Sequence, residues 1–439
     1  MTARLKAALR EVEDTDCVSV GEGVIESTGA ILRDLWPNDQ FVVVADLNTW
    51  NVAGEALVSS LKKSGVACKR LILESQNLSA NYDQVCFLRH YFHQVGGIPI
   101  ALGSGTINDL VKLAADESQR RYGVVATAAS MDGYASYGSS IMRDGVKQTI
   151  YCCAPRLVLA DTKILETAPQ LMNAAGYADL LAKQTAGADW LVAEALGIEA
   201  IHKRAWAFTQ DALSEWTEFP EAIHAGEPAA LGRLFEGLIF AGLGMQVARS
   251  SRPASGAEHL LSHLWDMQDI NYQGERPSHG LKVGIGTLLT AGIYDFFQKW
   301  PLPENIESRL HNWPNLQAVL DAAINLHGEP KLACSAAKAV KAKYLNQEQM
   351  RQRYARLRSV WPDLSRRLAK QVAPPGSARV QLSTAGALID PRLLGLDRKS
   401  LYESFFQAAT IRDRYTILDL AFELGILEDA ATHSIAFSK

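Results

Sequence analysis

Cysteine is scarce in this chain. Its six cysteines, Cys17, Cys68, Cys86, Cys152, Cys153 and Cys334, are scattered over 439 residues with no Cys-x-x-Cys spacing. That argues against a disulfide framework and against a thiolate zinc cluster, and leaves free thiols in a reducing cytoplasm as the expectation. Strong charge is missing too. The net charge is −4, so nothing calls for nucleic acid or a membrane as partner. No uninterrupted apolar run reaches the roughly 20 residues of a membrane span. The first ten residues lack the apolar core and cleavage site of a signal peptide and read as the start of an amphipathic helix. There is no internal repeat and no low-complexity linker. What remains is an even balance, 48% apolar and 21% charged, which with this length fits a globular protein of two domains.

The first third alternates strand-like and helical segments. Residues 40–46 form an apolar, β-branched run, the mark of a buried parallel strand. A helical pattern follows over 51–64, a strand over 68–73, a helix over 82–95 and a strand over 97–102. Another helix is expected over 110–116 and another strand over 122–127. Such alternation predicts an open, mostly parallel α/β sheet over residues 1–165.

Three loops of this domain are candidates for binding a ligand. Gly103-Ser104-Gly105-Thr106-Ile107-Asn108-Asp109 joins a strand to a helix, where glycines let the backbone approach a pyrophosphate and the helix amides face its charge. The third glycine of the usual fingerprint is replaced by Asp109, and many tight turns look the same. Asp46 ends an earlier strand. An acid there can accept from an adenosine ribose and repel a 2′-phosphate, favouring NAD over NADP, or it can simply cap a helix. The loop from Thr127 through Ala128, Ala129, Ser130, Met131 and Asp132 to Ser136 follows a strand at the sheet's carboxyl edge, where open α/β sheets bind ligands; its hydroxyls can donate to phosphate or amide groups and Asp132 can accept from a substrate hydroxyl, or it is a plain polar turn.

From about Pro169 the strand pattern stops, and residues 166–439 read as an all-helical domain. Helices are expected over 172–196, 194–213, 228–247, 256–266 and 279–300, with more to the end. Asp179 and Lys183, four apart among apolar neighbours, read as a helix-stabilising ion pair, or else Asp179 ligates a metal, since an acid in such surroundings is costly unless paired or metal-bound. Ser255-Gly256-Ala257-Glu258-His259-Leu260-Leu261-Ser262-His263 puts two histidines on one helix face, and His279 opens the next apolar segment. Two imidazoles from adjacent helices and a carboxylate can bind a divalent metal with positions open for substrate. The arginines of residues 338–370 read as a solvated helix face before an anion-binding patch.

Five of these motifs stand in one order: residues 103–109, Ser130-Met131-Asp132-Gly133-Tyr134, Gly176-x-x-Asp179-x-x-Ala182-Lys183, Ser255 to His263, and His279-Gly280. In that order they resemble the polyol-dehydrogenase group of the iron-containing alcohol dehydrogenase and dehydroquinate synthase superfamily. Within it they resemble the NAD(P)-dependent glycerol-1-phosphate dehydrogenases, notably bacterial ones linked to arabinose operons. The resemblance spans nearly the whole chain. Ala257, where many relatives carry serine, is a small departure.

The resemblance implies a Rossmann-like N-terminal domain, an all-α C-terminal domain and an active site in the cleft between them. It implies that Asp179, His259 and His279 hold a divalent metal (zinc, nickel or iron), and that Asp132, Asp179 and His263 contact substrate. It implies that Asp46, Gly103, Ser104, Gly105, Thr106, Ile107, Thr127, Ala128, Ala129, Ser130 and Ser136 hold NAD, with NADP possible. The expected reaction is reduction of a small phosphorylated triose, dihydroxyacetone phosphate, to sn-glycerol 1-phosphate in a cytoplasmic homodimer. Lys183, Arg252 and Lys282 are the candidates for holding the phosphate. A polyol dehydrogenase or dehydroquinate-synthase-like activity on the same scaffold, and a non-catalytic dinucleotide-binding regulator, are the alternatives.

Overall fold

The computed structural model describes residues 2–74 and 78–438. Six strands form one parallel sheet: β1 (Cys17–Gly21), β2 (Phe41–Asp46), β3 (Cys68–Leu73), β4 (Ile98–Gly103), β5 (Gly123–Ala126) and, after an antiparallel hairpin of β6 (Ser139–Arg143) and β7 (Val146–Ile150), β8 (Leu157–Asp161). Their spatial order is β1-β8-β5-β4-β2-β3. The first five residues of β2, Phe-Val-Val-Val-Ala, are all buried, as a central strand covered on both faces requires.

The order contains a switch point. From β2 the chain steps outward to β3, whereas from β4 it steps the other way to β5. β2 and β4 pair from Phe41↔Ile98 to Val44↔Ala101. Their carboxyl ends, Asp46 and Gly103, are therefore neighbours at the place where parallel sheets of this kind open a crevice for ligands.

The alternation expected from the sequence is present, with three additions. β1 and the β6–β7 hairpin carry few consecutive apolar residues, whereas β8, with Leu157-Val158-Leu159-Ala160, has an apolar run as long as that of β5 and was overlooked. The helix after β2 spans Leu47–Lys63 and starts four residues earlier than its apolar spacing suggests, because Asp46 caps it. The Asp46 carboxylate accepts from the Thr49 amide at 2.8 Å, and the Thr49 hydroxyl accepts from the Asp46 amide at 3.2 Å, a capping box.

No strand follows Asp161 among the described residues. The single helix expected over 172–196 is two, Gln170–Leu181 and Lys183–Ala195. The helix expected over 194–213 is shorter, Lys203–Gln210, because Gly197 leaves the helical region at φ +72°.

Two compact units result. One comprises Met1–Leu180, Ala207–Ser251 and Thr384–Gly386; the other Leu181–Trp206, Arg252–Ser383 and Ala387–Lys439. The first contains the sheet and the Pro228–Ala248 helix. By length and composition that helix could cross a membrane, but 78% of its apolar window is buried within the protein, as in a core helix. The second contains the Ala257–Met267 and His279–Lys299 helices.

Candidate functional site

In the first unit the candidate residues gather at the carboxyl ends of β2, β4 and β5. Gly103 ends β4, Ser104 is the N-cap of the Gly105–Glu117 helix, and Gly105, Thr106 and Ile107 form its first turn. The Ser104 side chain makes no cap hydrogen bond, so the first helix amides are left to another acceptor. A Cβ at Gly103 would lie 2.8 Å from Cβ of Ile107, and one at Gly105 would press on Met131 at 3.3 Å. A larger residue at 103 would collide with Ile107, and one at 105 would need the Met131 side chain to shift by a few tenths of an ångström.

Thr127, Ala128, Ala129 and Ser130 leave β5 and are buried. The Gln170–Leu181 helix is clamped onto this loop. Gly176 packs flush on the Ala129 carbonyl, leaving no space for a Cβ. Asn173 Oδ1 accepts from the Ala129 amide at 3.3 Å, and Asp179 Oδ2 accepts from the Asp132 amide at 2.9 Å. The spacing Gly176-x-x-Asp179 is thereby explained: one turn of helix touches the loop with a glycine and then with an acid. Tyr134 closes the loop from inside by donating to the Ala128 carbonyl at 2.7 Å. Behind it, Gly242 of the Pro228–Ala248 helix would meet Ala135 at 2.9 Å with a Cβ, so the helix packs closely on this segment.

Lys112 is a residue that sequence reasoning missed. It is fully buried, and its ammonium donates to the carbonyls of Gly133 (2.7 Å), Ser136 (3.1 Å) and Gly138 (3.1 Å) and to the Ser136 hydroxyl (3.0 Å). Burial pulls its pKa below the ordinary value, opposed by the charge of Asp109. Asp109 is pushed up by burial, with Lys112 pulling the other way. Ser136, a candidate for the dinucleotide, is thus also a partner of this ammonium.

In the second unit His259 and His263 lie on the Ala257–Met267 helix and His279 opens the His279–Lys299 helix. The three rings converge. Centroids are 5.2 Å apart for His259–His279, 5.8 Å for His263–His279 and 6.3 Å for His259–His263. The helices approach closely because residue 286 is glycine: a Cβ there would sit 2.5 Å from the Glu258 carbonyl oxygen.

Glu258, quoted in the motif but given no role, stands behind His259. It is fully buried. Its Oε1 faces His259 Nδ1 at 2.8 Å and accepts from the Gly256 amide at 2.6 Å, and its Oε2 accepts from the Thr185 hydroxyl at 2.8 Å. Burial alone would raise its pKa; the bonds from His259, Gly256 and Thr185 outweigh burial and hold the carboxyl below its ordinary value. Asp189 lies next to it. Asp189 accepts from Tyr294 (2.6 Å) and from the amides of Ala257 (2.7 Å) and Ile417 (2.8 Å). Burial, and then the Glu258 charge, push its pKa up to about 7. A Cβ on Gly256 would come within 2.5 Å of Asp189 Oδ2 and 2.9 Å of Glu258 Oε2, so only glycine fits between the two acids.

The basic candidates for phosphate have local partners. Arg252 reaches Glu199 (3.2 Å) and the carbonyls of Asp189 and Tyr415. Lys282 pairs with Asp266 at 2.8 Å and donates to the Pro277 carbonyl. Lys183 donates to the Ala254 carbonyl at 3.1 Å. The arginines of the Gln347–Gln371 helix are likewise taken up locally: Arg351 by Glu307 and Glu348, Arg353 by Glu423, Arg367 by Glu194.

Comparison with known proteins gives the same direction. A profile of the iron-containing alcohol dehydrogenases matches residues 19–169. The chain is similar to glycerol-1-phosphate dehydrogenase (NAD(P)+) of Halalkalibacterium halodurans, 37% identical over 255 residues, which are 57% of this chain and 64% of that enzyme. The aligned stretch thus spans just under two thirds of that relative. It is also similar to the enzyme of the same name from Methanothermobacter thermautotrophicus, 32% identical over 280 residues, covering 63% of this chain and 77% of that enzyme. Among solved structures, a glycerol dehydrogenase from Schizosaccharomyces pombe shares the fold with a TM-score of 0.64 at 17% identity, over 97% of this chain and 90% of that one.

Proposed function

We propose that this chain, which belongs to the glycerol-1-phosphate dehydrogenase family of iron-containing alcohol dehydrogenases, interconverts dihydroxyacetone phosphate and sn-glycerol 1-phosphate with NAD(P) and a divalent metal. The observation that carries the reading is the convergence of three imidazoles from two helices, with a buried carboxylate on the Nδ1 side of one of them. Metal-binding histidines commonly have such a carboxylate behind them.

In this reading Asp179, His259 and His279 are the ligands. Asp179 and His259 are buried and His279 is half-buried. One carboxylate and two imidazoles suit zinc, nickel and iron(II) alike. The dinucleotide lies over the switch point. Gly103, Ser104, Gly105, Thr106 and Ile107 receive the pyrophosphate, and Asp46 accepts from the adenosine ribose while its other oxygen stays on Thr49. Thr127, Ala128, Ala129, Ser130 and Ser136 line the same edge.

When bound, the nicotinamide supplies the hydride and the metal supplies Lewis acidity toward the ketone oxygen. The chain supplies orientation. Asp132, its backbone tied to Asp179, accepts from a substrate hydroxyl and fixes which carbon faces the cofactor. His263, ring-stacked on His279 at 5.8 Å, supplies the proton that the product hydroxyl needs. Cytoplasmic residence and a homodimer belong to the same reading; light scattering after size exclusion checks the dimer.

The test is loss of NADH absorbance on addition of dihydroxyacetone phosphate or dihydroxyacetone, with metal-stripped protein reloaded with zinc, nickel or iron(II). Metal-dependent turnover of the phosphorylated ketone is expected. Turnover of dihydroxyacetone alone would move the protein to the polyol dehydrogenases, and no turnover with any metal would refute the reading.

A further inference from the structure

We propose that Glu258 is a positioning residue for His259: it holds the imidazole as the Nδ1–H tautomer, so that Nε2 carries the lone pair a metal needs. This rests on the reading of His259 as a ligand, but it is argued from the carboxylate's own surroundings. An ionised carboxylate only accepts hydrogen bonds. Glu258 is fully buried, and two donors other than histidine already point at it: the Gly256 amide at Oε1, 2.6 Å away, and the Thr185 hydroxyl at Oε2, 2.8 Å away. The contact between Oε1 and His259 Nδ1, at 2.8 Å, then requires the proton to sit on the ring nitrogen. The tautomer follows from the set of donors around the acid.

The arrangement is also rigid. The backbone of Gly256 leaves no space for even a Cβ on one side of the carboxylate. The His279–Lys299 helix, at Gly286, closes on the Glu258 backbone on the other. The backbones on both sides thus pack closely around the residue that carries the carboxylate. A carboxylate that only capped the Ala257–Met267 helix would need the Gly256 amide. It would not need to lie against the imidazole or to hold a third donor from the Lys183–Ala195 helix.

The test variant is Glu258→Gln, which keeps shape and removes charge. Zinc affinity of the full-length protein is measured by competition with a chromophoric chelator. Nitrogen-15 shifts of His259 are measured on the metal-free wild type. Zinc binding weaker by about 10–100-fold in the variant is expected, at a melting temperature within a few degrees of wild type. The wild-type ring should show a protonated Nδ1 and a bare Nε2. Wild-type zinc affinity in a folded Glu258→Gln protein would overturn the proposal, and so would a wild-type His259 carrying its proton on Nε2. The second measurement needs no variant and decides the matter if Glu258→Gln does not fold. His279→Ala separates the two levels. If that variant keeps its zinc, the ligand assignment fails; if it loses zinc while Glu258→Gln does not, only the role of Glu258 fails.

Discussion

Replacing Lys112 by methionine should destabilise the first unit and loosen the loop that carries Asp132. Methionine fills most of the volume of the lysine stem but donates nothing. Three N–H protons, shared among four oxygens, would be lost: the oxygens are the carbonyls of Gly133, Ser136 and Gly138 and the hydroxyl of Ser136. Some compensation exists. The Ser136 hydroxyl lies 2.9 Å from the Gly133 carbonyl and 3.1 Å from that of Gly138, but its one proton serves only one of them. Asn108 reaches the Gly133 carbonyl at 3.3 Å. The Ser136 carbonyl, and at times that of Gly138, are left unmet in the interior. Each buried acceptor without a donor costs about 1–3 kcal/mol. Against this, removing the ammonium relieves the burial that already lowers its pKa. A net loss of about 3 kcal/mol is expected, within the range for breaking a buried polar network. Urea unfolding of wild type and Lys112→Met, read by tryptophan fluorescence, gives the number. The loop also holds Asp132, whose amide bonds Asp179, so KM for the ketone should rise more than kcat falls. A loss below about 1 kcal/mol would show that the four contacts add little, and the account of this loop would be wrong.

Asp46→Ala should act twice. Losing the helix cap costs about 1 kcal/mol, and losing the acid at the end of β2 should raise the NADPH-to-NADH ratio in kcat/KM; an unchanged ratio would remove Asp46 from cofactor choice. Asp189 gives a pH prediction. Its pKa is raised from 3.8 to about 7 in the fold, so the folded state holds the proton more tightly. The stability this confers is full below about pH 4 and is lost as pH rises through about 7, by up to about 4 kcal/mol. Urea midpoints at pH 5, 6, 7 and 8 should therefore fall with pH more steeply in wild type than in Asp189→Asn; parallel curves would contradict the shift.

What the sequence made legible is of one kind: chemistry that repeats over three or four residues. The β-branched run of β2, the Gly103-Ser104-Gly105 turn and the pair His259 and His263 are such signals, and each is where its pattern puts it. Boundaries slipped where a polar residue decided them. The helix after β2 starts at its cap, Asp46, and not at its first apolar residue. Asp46 was open to two readings, helix cap or ribose acceptor, and its geometry permits both because Thr49 engages one oxygen only.

The residues that stayed hidden were those whose partners are far along the chain. Lys112 reads as an ordinary helix lysine until Gly133, Ser136 and Gly138 fold over it, 21 to 26 residues later. Thr185, 73 residues before Glu258, gives no sign of touching it. Glycine falls between these cases. Gly176 and Gly256 were visible as letters of motifs and Gly286 stands in the segment that His279 opens, but a glycine letter does not say which atom would collide with a side chain. The structure supplies the atom each time: the Ala129 carbonyl, the Asp189 and Glu258 carboxylates, and the Glu258 backbone. Two of the three surround one acid, Glu258. The closest packing on this stretch is thus gathered around one buried carboxylate that lies 2.8 Å from an imidazole.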